Sequence, residues 1–204
     1  KQRGSHIAWD IGARDIAVAL SKKFDATAIA SRYSRLVYDL NRYSWDPFAM
    51  TNTSDSVQIN GNQNLTLPER ERRYQEIARP YYDQINTWIA RKRTAGKSPA
   101  LVSVHTMADR LSDGKIRNEG YAVLWDGQDK LSRSFMTALR ENTDFLVGDN
   151  TPYALELGID YTVPECALRH GIAAIMFEVR QDLTQDPDNF PRRIEELAIA
   201  LEGT

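Results

Sequence analysis

AAIMFEV, residues 173–179, decides the fold class: seven residues, nearly all apolar, with a single charge at Glu178. A short, almost continuous apolar run of this kind suits a strand buried on both faces, as in a largely parallel sheet. Two further runs read the same way, ALVSVH at residues 100–105 and YAVLW at residues 121–125, and a shorter one lies at residues 145–147. Between and after them fall helix patterns. Residues 130–141 form one, and residues 189–202 another, with Ile194, Leu197, Ala198 and Leu201 on a single face. Strands alternating with helices predict a layered α/β fold around a mostly parallel sheet.

Working outward to the N-terminal half, residues 6–24 read as an amphipathic helix carrying Ile7, Ile11, Val18 and Leu20 towards the core. DATAIAS (25–31) and RLVYD (35–39) read as strand material. Residues 43–67 are polar, with Asn60-Gly61-Asn62 as a turn signal, and suit either a lid or a surface loop. A long helix is expected from Pro68 to about Arg93, with a kink at Pro80. No internal repeat or interior linker interrupts residues 1–204, so one domain is expected.

Composition excludes more than it assigns. A formal charge of −2 leaves no electrostatic footprint for nucleic acid or an anionic membrane. No run approaches the roughly 18 apolar residues of a membrane span, and no signal-peptide pattern opens the chain. The single cysteine, Cys166, allows no internal disulfide framework. The expectation is a soluble, cytoplasmic protein acting on a small molecule. Oligomeric state is open.

The chemistry-bearing signals are polar residues where apolar strands finish, because ligands of open α/β sheets bind beyond the carboxyl ends of strands. Asp39-Leu40-Asn41-Arg42 follows RLVYD, His105 ends ALVSVH, and Glu178 sits inside the run at 173–179. Each is also compatible with a structural role: a surface ion pair for Arg42, a hydrogen-bonded core histidine for His105, a strand-edge pair for Glu178 with Arg180. Together they are the types a metallohydrolase needs. An imidazole ligates zinc, a carboxylate accepts a proton from water, and a guanidinium grips a substrate carboxylate.

At these residues the sequence resembles the N-formylglutamate amidohydrolase family. The matching stretches are HIAWDIGA (6–13), SRLVYDLNR (34–42), SVHT (103–106), GDNTPY (148–153) and FEVRQDL (177–183), in the family's order. The family is distantly similar to zinc carboxypeptidases. The resemblance therefore implies a three-layer α/β/α fold with a mostly parallel mixed sheet, zinc-exopeptidase-like (phosphorylase/hydrolase-like). It implies zinc as cofactor with His105 as ligand, and Glu178 as general base. Asn41 and Arg42 would hold a substrate carboxylate, and Arg35 would be an oxyanion or carboxylate contact. Arg180 and the GDNTPY residues Asp149, Asn150 and Tyr153 are further substrate-binding candidates; a polar turn after a strand is the alternative for the last three. The expected reaction cleaves the amide of an N-acyl acidic amino acid, N-formyl-L-glutamate to formate and glutamate. The alternatives are a related zinc acylase or exopeptidase with another acidic substrate, and a carboxylate-binding relative without catalysis.

The sequence departs from the family pattern at several points. A His-Ala-Ser-Asn-like motif, which would supply the other metal ligands, is expected upstream of HIAWDIGA, where only residues 1–5 stand here. Tyr82 and Cys166 stand where histidines are common. His6 and Asp10, four apart, would share a helix face, compatible with joint metal ligation or with a hydrogen bond inside the helix. His170, before Gly171, reads as a structural helix end. Cys166 has no evident histidine partner, which argues against a cysteine nucleophile.

Overall fold

The computed structural model describes residues 7–110, 114–126 and 130–204. In chain order the elements are helix α1 (Ala13–Lys23), a hairpin of β1 (Thr53–Ser54) and β2 (Val57–Gln58), helices α2 (Leu67–Arg73) and α3 (Arg79–Thr94), and strands β3 (Ala100–Met107) and β4 (Glu119–Leu124). There follow α4 (Lys130–Asn142), β5 (Leu146–Asp149), α5 (Thr162–Cys166), β6 (Ala173–Arg180), α6 (Asp182–Gln185) and α7 (Phe190–Glu202). No described helix is long and apolar enough to cross a membrane. The described residues gather into two compact units. One comprises residues 7–9, Ile29–Pro99 and Glu156–Ile172; the other comprises the described parts of Asp10–Ala28, Ala100–Leu155 and Ala173–Thr204.

The second, a sheet unit, contains all three strong apolar runs. Its four strands lie in the order β3-β6-β4-β5. β3 and β6 run parallel, as do β4 and β5, while β4 is antiparallel to β6. The fold class is thus α/β with a mixed, mostly parallel sheet, as expected. Register explains the charge in the opening run. Phe177 pairs with Val104 and with Val123, while its neighbour Glu178 pairs with His105 and with Ala122. Because side chains alternate across a strand, these two sets face opposite sides of the sheet. Phe177, Ile175, Val179, Tyr121 and Val123 share a buried core with Ile16 of α1, Phe135 and Leu139 of α4, and Leu197 of α7. Phe177 stacks on Phe135 with ring centroids 5.4 Å apart. Each such side chain contributes roughly 1.5–3 kcal/mol on full burial. Glu178 and His105 are carried to the opposite face at no cost to this core.

Helix α1 begins at Ala13, seven residues later than the apolar pattern suggests. Gly12 precedes it at φ +89°, and a Cβ there would strike Thr184 Oγ1. The left-handed backbone stops the helix from extending towards Asp10.

The first, a loop unit, corrects two expectations. Neither 25–31 nor 35–39 is a strand. Residues 35–37 instead form a turn, with Val37 N–H donating to Ser34 O at 2.9 Å, and irregular chain follows, with Asp39 N–H donating to Ala49 O at 2.8 Å. Asp25, in the turn after α1 and in the sheet unit, takes φ +47°, and residues 26–31 pair with no strand among the described residues. Apolar, β-branched composition makes a strand only where a partner strand supplies the ladder. The long helix does start as expected: Thr66 and Glu69 form a reciprocal capping box, with Pro68 in the first turn. The disturbance expected at Pro80 is taken up one turn earlier. Residues 74–78 form a turn of π-helix, closed by Arg79 N–H to Tyr74 O. Proline has no N–H for its i−4 carbonyl and its ring crowds that turn, and a widened turn relieves both.

Candidate active site

In the sheet unit, His105 is held at both ring nitrogens. Nδ1 lies 2.8 Å from Asp10 Oδ2, and Nε2 lies 3.2 Å from Ser103 Oγ. Asp10 is therefore in the turn before α1 and not on a helix face, which corrects the expected placement; His6 lies outside the described residues. An ionised carboxylate only accepts, so Asp10 puts the imidazole proton on Nδ1 and leaves the Nε2 lone pair directed at Ser103. Glu178 is the register partner of His105 on the adjacent strand, half-buried and on the same face. A carboxylate, an oriented imidazole and a hydroxyl thus share one face of the sheet, with Ser103 buried.

His105 fits one requirement of a zinc ligand, since ligating histidines characteristically give their second N–H to a carboxylate. A catalytic zinc takes three protein ligands, and no group of three His, Cys, Asp or Glu side chains able to hold a metal occurs among the described residues. Among the described residues, His105 has the form of one such ligand, and a complete set does not occur.

The other candidates of this unit are engaged within the protein. Arg180 grips Asp182 with two bonds, Nε to Oδ1 at 2.8 Å and Nη2 to Oδ2 at 3.1 Å, and gives Nη1 to Arg117 O. Asp149 pairs in register with Val123, so it belongs to the helix-covered face, where Oδ1 accepts from Trp125 Nε1 at 2.7 Å. Asn150, at φ +52°, takes Trp125 N–H and returns its own Nδ2–H to Trp125 O, both at 2.9 Å. It completes the ladder where β4 ends. Tyr153 is 46% exposed and accepts from Arg117 Nη2 at 2.6 Å. Arg117 carries no periodic or strand-end signal in the sequence, and its importance emerges only from these tertiary bonds.

In the loop unit, Asn41 and Arg42 converge on a buried acid. Arg42 Nη1 donates to Asp160 Oδ1 at 2.7 Å and Asn41 Nδ2 to the same oxygen at 2.9 Å. Asn41 Oδ1 also accepts from the main-chain N–H groups of Tyr161 and Thr162. Asn41 therefore clamps two chain segments and positions Arg42. Arg35 Nη2 pairs with Asp39 Oδ2 at 2.7 Å. Tyr82, where the family often has histidine, donates to Leu40 O and stacks on Tyr161 with centroids 4.1 Å apart. Burial pushes the Cys166 thiol up to about 11, so it is protonated and a poor nucleophile near neutral pH. His170 ends a single helical turn closed by Gly171 at φ +62°, as read.

Residues 1–184 match the N-formylglutamate amidohydrolase family. The chain belongs to that family. It is also similar to a gene product of Agrobacterium tumefaciens of known structure, at 32% identity and a TM-score of 0.89, over 98% of this chain and 80% of that one. N-formylglutamate amidohydrolase from Ralstonia eutropha shares the fold at 17% identity and a TM-score of 0.69, over 93% of this chain and 79% of that one. No curated protein matches.

Proposed function

We propose that this chain hydrolyses the amide of an N-acyl acidic amino acid, with N-formyl-L-glutamate as the leading substrate. The pairing of Glu178 with the Asp10-oriented His105 carries the reading. Glu178 takes a proton from water, and the resulting hydroxide adds to the acyl carbon. The tetrahedral oxyanion then collapses, the C–N bond breaks, and Glu178 returns the proton to the departing amine. Asp10 keeps Nε2 of His105 unprotonated, which suits it to hold zinc. Zinc, when bound, supplies polarisation of the scissile carbonyl and lowers the pKa of water towards ~7. The family motif supports Asn41 and Arg42 for a substrate carboxylate; Asn41 acts by holding Arg42 in place, and Arg35 is a further contact of the same kind.

Glu178→Gln keeps the shape and removes the base. Turnover of N-formyl-L-glutamate is expected to fall about 10²–10⁴-fold with metal content unchanged. Undiminished turnover in that variant rejects the assignment.

The line Ser103–His105–Asp10 favours one second reading, in which Ser103 attacks the acyl carbon as Nε2 takes its proton, the C–N bond breaks with that proton passing to the departing amine, and water then releases the acyl group from Ser103. Stoichiometric labelling of Ser103 by a sulfonyl fluoride, with loss of activity in Ser103→Ala, would establish it. Full activity in Ser103→Ala removes it.

A further inference from the structure

Arg117 is a buried guanidinium, 9% exposed, that no carboxylate balances among the described residues. Arg193, the other buried arginine of the sheet unit, and the half-buried Arg180 each hold a carboxylate oxygen at 2.8 Å. Among the described residues Arg117 has neutral partners only. Nε donates to Ala108 O at 2.9 Å and Nη2 to Tyr153 Oη at 2.6 Å, and the guanidinium lies 5.2 Å from the Tyr153 ring centroid. Carbonyl, phenol and ring face fix its orientation without cancelling its charge. A buried cation without a counter-charge is costly, and an anionic ligand removes that cost.

Its location matches the chemistry. Ala108 follows the last residue of β3, three places after His105, roughly 10 Å along the chain. Arg180, two places after Glu178, donates to the Arg117 carbonyl at 2.7 Å. The strands bearing the base and the imidazole therefore both lead to Arg117 at their carboxyl ends, where α/β sheets bind ligands.

We propose that Arg117, braced by Tyr153, binds a carboxylate of the substrate and selects acidic over neutral N-acyl amino acids. The proposal rests on the amidohydrolase reading for its substrate class. A planar fork grips a carboxylate through parallel charge-assisted bonds, and the Tyr153 hydroxyl occupies only one of its donors.

The test compares Arg117→Met, Arg117→Lys and Tyr153→Phe with the wild type. KM and kcat are measured on N-formyl-L-glutamate and on its α-amide and γ-amide. Calorimetry measures the affinity for glutarate, a dicarboxylate with no scissile amide. Arg117→Met should raise KM for N-formyl-L-glutamate about thirtyfold or more, with much less change in kcat. It should leave KM unchanged for whichever amide lacks the carboxylate that Arg117 reads, and abolish glutarate binding. Arg117→Lys and Tyr153→Phe should give smaller rises in KM with normal thermal melts, and they decide the matter if Arg117→Met does not fold. Folded variants with wild-type KM and glutarate affinity overturn the role of Arg117 and leave the function standing. A wild type that binds glutarate through Arg117 but hydrolyses no N-acyl amino acid overturns the function and keeps the anion site. A wild type that does neither overturns both.

Discussion

The two compact units bury different chemistry. The sheet unit closes around a continuous apolar core in which Phe177, Phe135, Ile16 and Leu197 are fully covered. The loop unit relies on polar cross-links. Asn62 donates to Leu36 O and Thr51 O, both at 2.7 Å, Arg73 donates to Val37 O and to Asn62 Oδ1, and Asp160 receives Asn41 and Arg42. An apolar core spreads its stability over many weak contacts, whereas a cross-linked loop concentrates it in a few bonds whose loss strands a buried partner. The same division separates two arginines. Arg42 already holds one counter-charge, Asp160, inside its own unit, while Arg117 is held by neutral groups and has no counter-charge among the described residues.

The largest effect that tests this division is in the core. Phe177→Ala should cost about 3–5 kcal/mol by urea denaturation. A cost below 1 kcal/mol would show that the sheet unit does not depend on that face. Asp160→Ala should follow, at about 2–4 kcal/mol, because it leaves the Arg42 charge and two further donors, Asn41 Nδ2–H and the Glu156 main-chain N–H, without their acceptor. If Asp160→Ala melts like the wild type, the clamp is dispensable. The smallest effect concerns Cys166. Burial raises its folded-state pKa from 9.0 to about 11, so the folded protein holds that proton more tightly than the unfolded chain does. The resulting stability is complete below about pH 9 and declines as pH rises through 11. Alkylation by iodoacetamide at pH 8 should be slow in the folded protein and rapid in urea. Fast labelling without denaturant contradicts the burial.

The strands at 100–107, 119–124 and 173–180 were legible because nearly unbroken apolar runs admit few other readings, and α4 and α7 because their apolar spacing is helical. The stretches at 25–31 and 35–39 misled for a physical reason. Their composition suits a strand, yet bonds such as Asp39 N–H to Ala49 O spend the backbone donors a ladder would need. Within the site, Glu178 and His105 stood out as polar residues in apolar surroundings. Asp10 as partner of His105, 95 residues away, and the lack of a carboxylate beside Arg117 among the described residues are products of tertiary structure. No local pattern encodes them.

The pairing of His105 with Glu178 makes the sheet behave like a reading frame. One residue inserted into β3 ahead of His105 would turn the imidazole towards the helices and expose Val104 in its place, damaging fold and chemistry in a single step. Two residues would restore the phase. Length changes in these strands should therefore be tolerated in pairs or not at all, while the loops of the other unit are bound by no such parity and should feel a single-residue change only where it displaces a cross-link such as that of Asn62 or Asp160.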